Sequence, residues 1–171
     1  SVSTNNTIDG NGLVYSNLSK GYEVWNVAAP ITNSTITGGS VSGVDIGVFA
    51  NNYDGYSSDA SDGAYATISG LTITPKVTGV GVRIYDNALA TSHAPVRLDL
   101  SGCTISGGLE GIKFEETQAG TVGGTINNNN ISASVLGVNV NSMLTSASNV
   151  FSLTNNTINI TGQTAGGNPT S

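Results

Sequence analysis

A six-residue unit that recurs along the chain limits the possible folds more than any other feature. Each copy places an aliphatic residue five positions before an Ile, with Asn or Gly three positions before that Ile and Thr or Asn directly before it. Five copies and one degraded copy follow this rule: ITNSTI at 31–36, ISGLTI at 68–73, LSGCTI at 100–105, INNNNI at 126–131, LTNNTI at 153–158, and the degraded STNNTI at 3–8. Recurrence over some thirty residues is typical of a repeat architecture.

The odd spacing within the unit requires a bend. Side chains alternate between the two faces of a strand, so residues five positions apart in one strand would point in opposite directions. Asn and Gly enter the left-handed backbone region at the lowest cost. We therefore predict a sharp turn at Asn33, Gly70, Gly102, Asn128 and Asn155. The turn would aim the flanking aliphatic residues into one core, made of Ile31, Ile36, Ile68, Ile73, Leu100, Ile105, Ile126, Ile131, Leu153 and Ile158.

A second element follows each unit and reads glycine, aliphatic, any residue, aliphatic. Its copies are SGVDIGVF from Ser42, TGVGVRIY from Thr78, EGIKF from Glu110 and LGVNV from Leu136. Alternating apolar residues are typical of a strand with one buried face. The pairs expected on that face are Val44 with Ile46, Val80 with Val82, Ile112 with Phe114, and Val138 with Val140. Residues 50–64 and 86–94 are expected to be inserted loops, which a β-coil accommodates outside its strands.

The composition agrees with a strand-rich chain and excludes several classes of function. Charged residues make up 9% of the chain and the formal net charge is −6, which disfavours binding to nucleic acid. Cys103 is the single cysteine, so a disulfide framework is excluded and a small buried side chain is expected. No apolar run approaches the roughly 20 residues of a membrane span. We expect one domain over 1–171, a mature or excised segment of a longer protein.

The two motifs together resemble the coils of pectin-lyase-like right-handed parallel β-helix proteins. The resemblance extends from about Ser3 to Thr161, and it rests on the recurrence of motifs that are individually degenerate. It implies an all-β, right-handed parallel β-helix, or β-solenoid, of about five to six coils. Each coil would contribute three short strands to three parallel sheets, with the winding that parallel crossovers prefer.

The resemblance also implies that any site lies on the outer face of a sheet. The candidate polar cluster there is Asp45, Arg83, Asp86, Lys113, Glu115 and Asn139, with Glu116 adjacent. The galacturonan hydrolases of this fold carry paired Asp, a Gly-His-Gly and an Arg-Ile-Lys element. This chain has only Arg83-Ile84-Tyr85, and its single histidine, His93, has no glycine neighbours. We therefore predict no catalytic residue, and the cluster is expected to keep the sheet face soluble.

The first inserted loop contains the remaining candidate ligands. Asp54, Asp59 and Asp62 have the composition of a calcium loop but not EF-hand spacing, so calcium is a weak expectation and no other cofactor is expected. Tyr53, Tyr56 and Tyr65 are candidates to stack on a sugar or a partner protein, or to brace the loop.

These features favour a non-enzymatic extracellular or cell-surface scaffold, such as a segment of an adhesin, surface fibre or filament. The strand edges at the two ends of a solenoid predict end-to-end self-association or continuation into further coils. A glycan or another cell-surface ligand is the other expected partner. The alternatives are a polysaccharide-binding or polysaccharide-cleaving module and, last, an ice-binding face along Thr35, Thr72, Thr104 and Thr157.

Overall fold

The structure, a computed structural model, describes residues 1–12, 18–26, 32–52, 64–86, 96–116, 122–142 and 150–162. These residues form strands and connecting turns. Sheet A contains β1 (Val2–Thr4), β4 (Thr32–Thr37), β7 (Ala64–Ser69), β10 (Val96–Ser101), β13 (Val122–Asn127) and β16 (Val150–Thr154). Sheet B contains β2 (Thr7–Asp9), β5 (Ser40–Ser42), β8 (Thr72–Thr74), β11 (Thr104–Ser106), β14 (Asn130–Ala133) and β17 (Thr157–Ile160). Sheet C contains β3 (Lys20–Asn26), β6 (Ile46–Asn52), β9 (Val80–Asp86), β12 (Glu110–Glu116) and β15 (Leu136–Ser142).

Each coil passes through sheets A, B and C in that order, and every strand pairs in parallel with the equivalent strand of the next coil. The all-β parallel β-solenoid predicted from the repeats is therefore confirmed. The number of coils is slightly lower than the expected five to six. Four coils are described without a gap from their first strand to their last, and they are β4–β6, β7–β9, β10–β12 and β13–β15. Strands β1–β3 precede them, and β16 and β17 follow.

The turn between sheets A and B is the left-handed corner that the odd spacing requires. Its residues have φ between 51° and 62°, and they are Asn5, Gly38, Gly70, Gly102, Asn128 and Asn155. The prediction for Asn33 was wrong, because Asn33 lies inside β4 opposite Tyr65. Ile36 pairs with Ile68, so it begins a unit and does not end one.

The second coil therefore carries the unit ITGGSV, residues 36–41, and Val41 takes the place of the expected Ile. ITNSTI fits the sequence pattern fully and ITGGSV departs from it at its last two positions, yet strand pairing selects ITGGSV.

The aliphatic side chains fill the interior as predicted, except at the last coil. The residues from the predicted core that are buried are Ile36, Ile68, Ile73, Leu100, Ile105, Ile126 and Ile131. Leu153 and Ile158 occupy the equivalent positions in β16 and β17, yet each remains 43% exposed. Among the described residues each has a neighbouring coil on one side only, which accounts for its exposure. Ile31 lies outside the described residues.

A column of glycines, Gly21, Gly47, Gly81, Gly111 and Gly137, lines the start of sheet C. A Cβ at each position would overlap the branched side chain of Val41, Ile73, Ile105, Ile131 or Ile158 in the next coil. The Ile or Val of each sheet B strand thus packs directly against the glycine of the preceding coil.

This column corrects the alignment of the second element in two coils. The predicted pairs Val44 with Ile46 and Val80 with Val82 followed the first glycine of each segment. Val44, Ile46 and Val82 are buried as predicted, whereas Val80 is partly exposed, and the second glycine sets the register of the strand. The inward pairs are Val48 with Ala50 and Val82 with Ile84.

A short asparagine ladder runs beside the corner. Asn129 Oδ1 accepts from the backbone N–H of Cys103 at 2.9 Å, and its Nδ2 donates to the carbonyl of Leu100 at 3.1 Å. One coil later, Asn156 Oδ1 accepts from the backbone N–H and Nδ2 of Asn129, both at 2.9 Å, and its Nδ2 donates to Ile126 O at 2.8 Å. Cys103 itself is buried, as predicted, and burial raises the pKa of its thiol.

Replacing Gly81 by Ala is expected to destabilise the solenoid by about 1–3 kcal/mol, as overpacking typically does. The added methyl would meet Ile105 and would lie 2.6 Å from the carbonyl oxygen of Gly111. Gly102→Asn is the matched control, because a Cβ there meets nothing within 4 Å and Asn occupies the same corner at Asn128. Urea unfolding of both variants measures the difference; equal stability would contradict the packing role of the glycine column.

Ile131→Ala and Ile158→Ala compare one position in an internal and a terminal coil. We expect about 2–5 kcal/mol of destabilisation for Ile131, which is fully buried, and a clearly smaller loss for Ile158. Unfolding is measured at a protein concentration at which sedimentation shows a monomer. Similar losses for the two variants would show that Ile158 is covered in the isolated chain.

Candidate functional site

The candidate site is a groove of about 390 Å³ on the outside of the corner between sheets B and C. Leu18, Asp45, Ile46, Thr78, Val80, Arg83 and Lys113 line it. Parallel pairing brings Arg83 of β9 directly beside Lys113 of β12, although 30 residues separate them in the sequence. The structure thus gathers three of the six polar residues predicted from the sequence around one opening.

Glu115 is the shared counter-ion of the two basic side chains of this groove, Arg83 and Lys113. Its Oε2 accepts hydrogen bonds from Nε and Nη2 of Arg83, at 3.1 and 2.7 Å, and lies 3.4 Å from Nζ of Lys113. All three side chains are about one-fifth exposed. Two cations therefore share one carboxylate, which leaves this cluster with a net charge of about +1 at neutral pH.

Aromatic rings hold the cations against the sheet. The guanidinium of Arg83 lies 5.4 Å from the ring centroid of Phe49 and 5.0 Å from that of Tyr85, and Nζ of Lys20 lies 4.9 Å from Phe49. Phe49 is paired with Arg83 across β6 and β9, so it points to the outer face and the cations bury it. Such cation–π contacts fix the long basic side chains in place.

Asp45 forms the acidic side of the groove, in the turn before β6. Its Oδ2 accepts from the hydroxyl of Ser19 at 2.6 Å and from the Ser19 N–H at 2.9 Å, and Oδ1 lies 3.2 Å from Nζ of Lys76. The hydrogen bonds from Ser19, followed by Lys76, hold the pKa of Asp45 below its ordinary value. Asp45 is consequently ionised at neutral pH and is unsuited to act as a general acid.

The remaining predicted cluster residues lie elsewhere. Asn139 extends the same outer row beyond Lys113, but its Nδ2 donates to Oε1 of Glu110 at 3.2 Å. Asp86 is fully buried, since it continues the inward row of Val82 and Ile84, and its assignment to the outer face was wrong. Glu116 is the last residue of β12 and is paired with Asp86.

Tyr65 belongs to β7 and not to an inserted loop. Its hydroxyl accepts a hydrogen bond from Nη1 of Arg97 at 2.8 Å, and the guanidinium lies 5.5 Å from the ring. This pair lies on sheet A, away from the groove. The other predicted loop contacts and calcium ligands, Tyr53, Tyr56, Asp54, Asp59 and Asp62, lie outside the described residues, as does most of both inserted loops. Residues 50–52, 64 and 86 belong to strands.

The threonines proposed for an ice-binding face do not form one column. Thr35 lies in sheet A opposite Thr67, whereas Thr72 and Thr104 are neighbours in sheet B. Thr157 is paired with Asn130, which interrupts the sheet B column.

Sequence reasoning missed the residues that hold the groove together. Ser19 and Lys76 contact Asp45 across turns whose lengths the repeat does not specify. The position of Phe49 could have been predicted from the sequence. If the two strands are aligned on Gly47 and Gly81, Phe49 lies beside Arg83.

Two kinds of feature are absent from the described residues. No group of three or more His, Cys, Asp or Glu side chains there is arranged to hold a metal ion. Nor does that part of the chain contain a helix of the length and hydropathy that crosses a membrane.

The lowered pKa of Asp45 predicts a pH dependence of stability. A carboxyl with a depressed pKa in the folded state stabilises the fold above its unfolded-state pKa, near 3.8, and that contribution is lost as the pH falls through the folded-state pKa. We therefore expect the difference in urea midpoint between wild type and Asp45→Asn to be constant above about pH 5 and to shrink below pH 3.8. In a Ser19→Ala background the difference caused by Asp45→Asn should be smaller, because the hydroxyl that donates to Asp45 is gone. A difference that does not change with pH would contradict the assignment.

Comparison with known proteins adds no family assignment. The chain matches no protein-family model, no curated protein and no solved structure. The parallel β-solenoid fold therefore rests on the strand pairing itself.

Proposed function

We propose that this protein is a structural, non-enzymatic scaffold of the pectin-lyase-like parallel β-helix type, acting outside the cell or at its surface as a segment of an adhesin, fibre or filament. The observation that carries this proposal is the continuity of the strand pairing along the axis. Strands of each sheet pair from coil to coil, and the buried aliphatic residues stack in the same direction. A rod held together along its length in this way supplies reach and stiffness.

The pairing of the charges in the groove supports a structural role for that face. Glu115 serves as counter-ion to Arg83 and Lys113, while Asp45 is held by Ser19 and Lys76. Each carboxylate is thus engaged in stabilising the outer face. The low content of charged residues and the presence of one buried cysteine agree with this interpretation.

A second candidate function is binding of an acidic glycan in the groove. Arg83 and Lys113 together exceed the charge of Glu115, which suits one carboxylate or sulfate group. Ionised Asp45 on the opposite side can accept hydrogen bonds from sugar hydroxyls, and Ile46 with Val80 offers an apolar floor. Calcium is a weak expectation from Asp54, Asp59 and Asp62, which lie outside the described residues.

A glycan screen separates the two functions. Acidic and neutral polysaccharides are incubated with the protein, with and without calcium, and followed for both binding and new chain ends. The scaffold proposal expects no cleavage. If the groove binds the glycan, Lys113→Ala should weaken glycan binding at least several-fold. Arg97→Ala, which removes a cation from sheet A, should not weaken it. Cleavage that is lost in Lys113→Ala or Glu115→Ala would overturn the scaffold proposal.

Localisation provides an independent test. Antibody labelling and protease treatment of intact source cells should detect the protein at the surface or in the medium. A protein retained inside intact cells would contradict the extracellular role, whatever the glycan screen shows.

A further inference from the structure

A buried amide on the outer face of sheet C lacks a hydrogen-bond donor. Asn51 follows the inward Ala50 in β6, so strand alternation places its side chain on the outer face, yet it is only 6% exposed. Its Oδ1 is buried, and no group among the described residues donates a hydrogen bond to it. A buried polar atom without a partner is rare and costs stability. The position therefore suits a ligand that brings a donor.

Two aromatic residues flank Asn51 in the outer row of sheet C. Parallel pairing places Trp25 of β3 on one side of it and Tyr85 of β9 on the other. Neighbouring strands are about 4.8 Å apart, so the backbones at Trp25 and Tyr85 are separated by roughly 9–10 Å. A ring held midway would lie about 4.5–5 Å from each, which is within the range of stacked rings. We call these three residues the aromatic slot.

The two walls of the aromatic slot differ in how firmly they are held. The ring of Tyr85 stacks on Phe49 with centroids 6.5 Å apart and an interplanar angle of 21°, and the guanidinium of Arg83 lies 5.0 Å from the Tyr85 centroid. Trp25, in contrast, is 55% exposed. Tyr85 is therefore a fixed wall, whereas Trp25 presents an open stacking surface and can turn with little loss of packing.

The charges around the aromatic slot favour a neutral ligand. Arg83 lies over Tyr85, so a cation already occupies the ring face that a cationic ligand would use. Glu115 is paired with Tyr85 on the side away from Asn51, which disfavours an anion there. A suitable ligand is thus uncharged, with apolar faces for the two rings and a donor at its edge for Oδ1. A pyranose sugar has both, because its faces carry C–H groups and its edge carries hydroxyls.

We propose that the aromatic slot binds a neutral sugar. One pyranose ring stacks between Trp25 and Tyr85, and one of its hydroxyls donates to Oδ1 of Asn51. Trp25 turns outward to admit the ring, which uncovers Oδ1. The inference goes beyond the scaffold role, and it differs from the binding of an acidic glycan in the groove because no charged side chain recognises the sugar.

The fluorescence of Trp25 tests the proposal directly, since Trp25 is the single tryptophan of the chain. The protein is titrated with neutral mono- and oligosaccharides of glucose, galactose, mannose and N-acetylglucosamine. We expect at least one of these sugars to change the tryptophan emission in a saturable way. The affinity should be the same at low and high salt, whereas binding of an acidic glycan in the groove should weaken as salt is added.

Asn51→Leu tests the buried amide. The variant keeps a side chain of similar size without an acceptor, so the sugar affinity should fall by about tenfold, as expected when one hydrogen bond is lost. Its urea midpoint should rise, because an unsatisfied buried oxygen is removed. Asn141→Leu is the matched control, since Asn141 lies in the same outer row beside Glu115 and is exposed. It should leave the sugar affinity unchanged.

Calorimetry extends the test to the two walls. Tyr85→Ala and Trp25→Ala should each weaken sugar binding, and Trp25→Phe, which keeps a ring, should retain part of the affinity. The inference is overturned if no neutral sugar changes the emission of Trp25 or if Asn51→Leu binds as tightly as wild type. A lower urea midpoint of Asn51→Leu would also overturn it, because a resident water would then satisfy Oδ1. Localisation and glycan cleavage do not enter these measurements, so the scaffold proposal is tested separately.

Discussion

The left-handed corner between sheets A and B is the constraint on which the rest of the solenoid depends. It allows two aliphatic residues five positions apart to face one interior, as Ile68 and Ile73 do on either side of Gly70. A residue with a branched side chain would be strained there by roughly 1–2 kcal/mol, and the cost would recur in every coil. The corner therefore determines where sheet B begins, and sheet B in turn supplies the side chain that packs against the glycine column of sheet C.

The corner and the core could be predicted from sequence wherever the repeat has one possible alignment. Gly102, Asn128 and Asn155 were found correctly because a single segment in each coil fits the pattern. Around Ile36 the better-matching segment, ITNSTI, is not the corner unit, so local similarity placed the corner at Asn33 and not at Gly38. The pairing of Ile36 with Ile68 resolves this, and that information is not local in the sequence.

The groove was harder to predict than the fold because its contacts cross coils. Arg83, Lys113 and Glu115 could be assigned to one outer face from strand alternation, and the structure places them together. Alternation also identifies Asp86 as an inward residue, because it continues the row of Val82 and Ile84, so its assignment to the outer face disregarded the pattern of its own strand. The partners of Asp45 lie in turns, where the repeat specifies neither length nor direction, so no periodic pattern identifies Ser19 or Lys76.

The distribution of charge along the chain connects the groove with the ends of the rod. All acidic and basic residues lie at or before Glu116, and those of the groove are compensated within sheet C and its flanking turns. A β-sheet edge is normally protected from pairing by charged side chains. The coils that contain β14 to β17 have none, while the first coil has Asp9, Lys20 and Glu23. The first and last described coils therefore differ in the charge of their strand edges. The ladder from Asn129 to Asn156 also has a direction, since each side chain bonds to backbone groups of the coil before it. Charge and hydrogen bonding therefore independently assign a direction to the same axis.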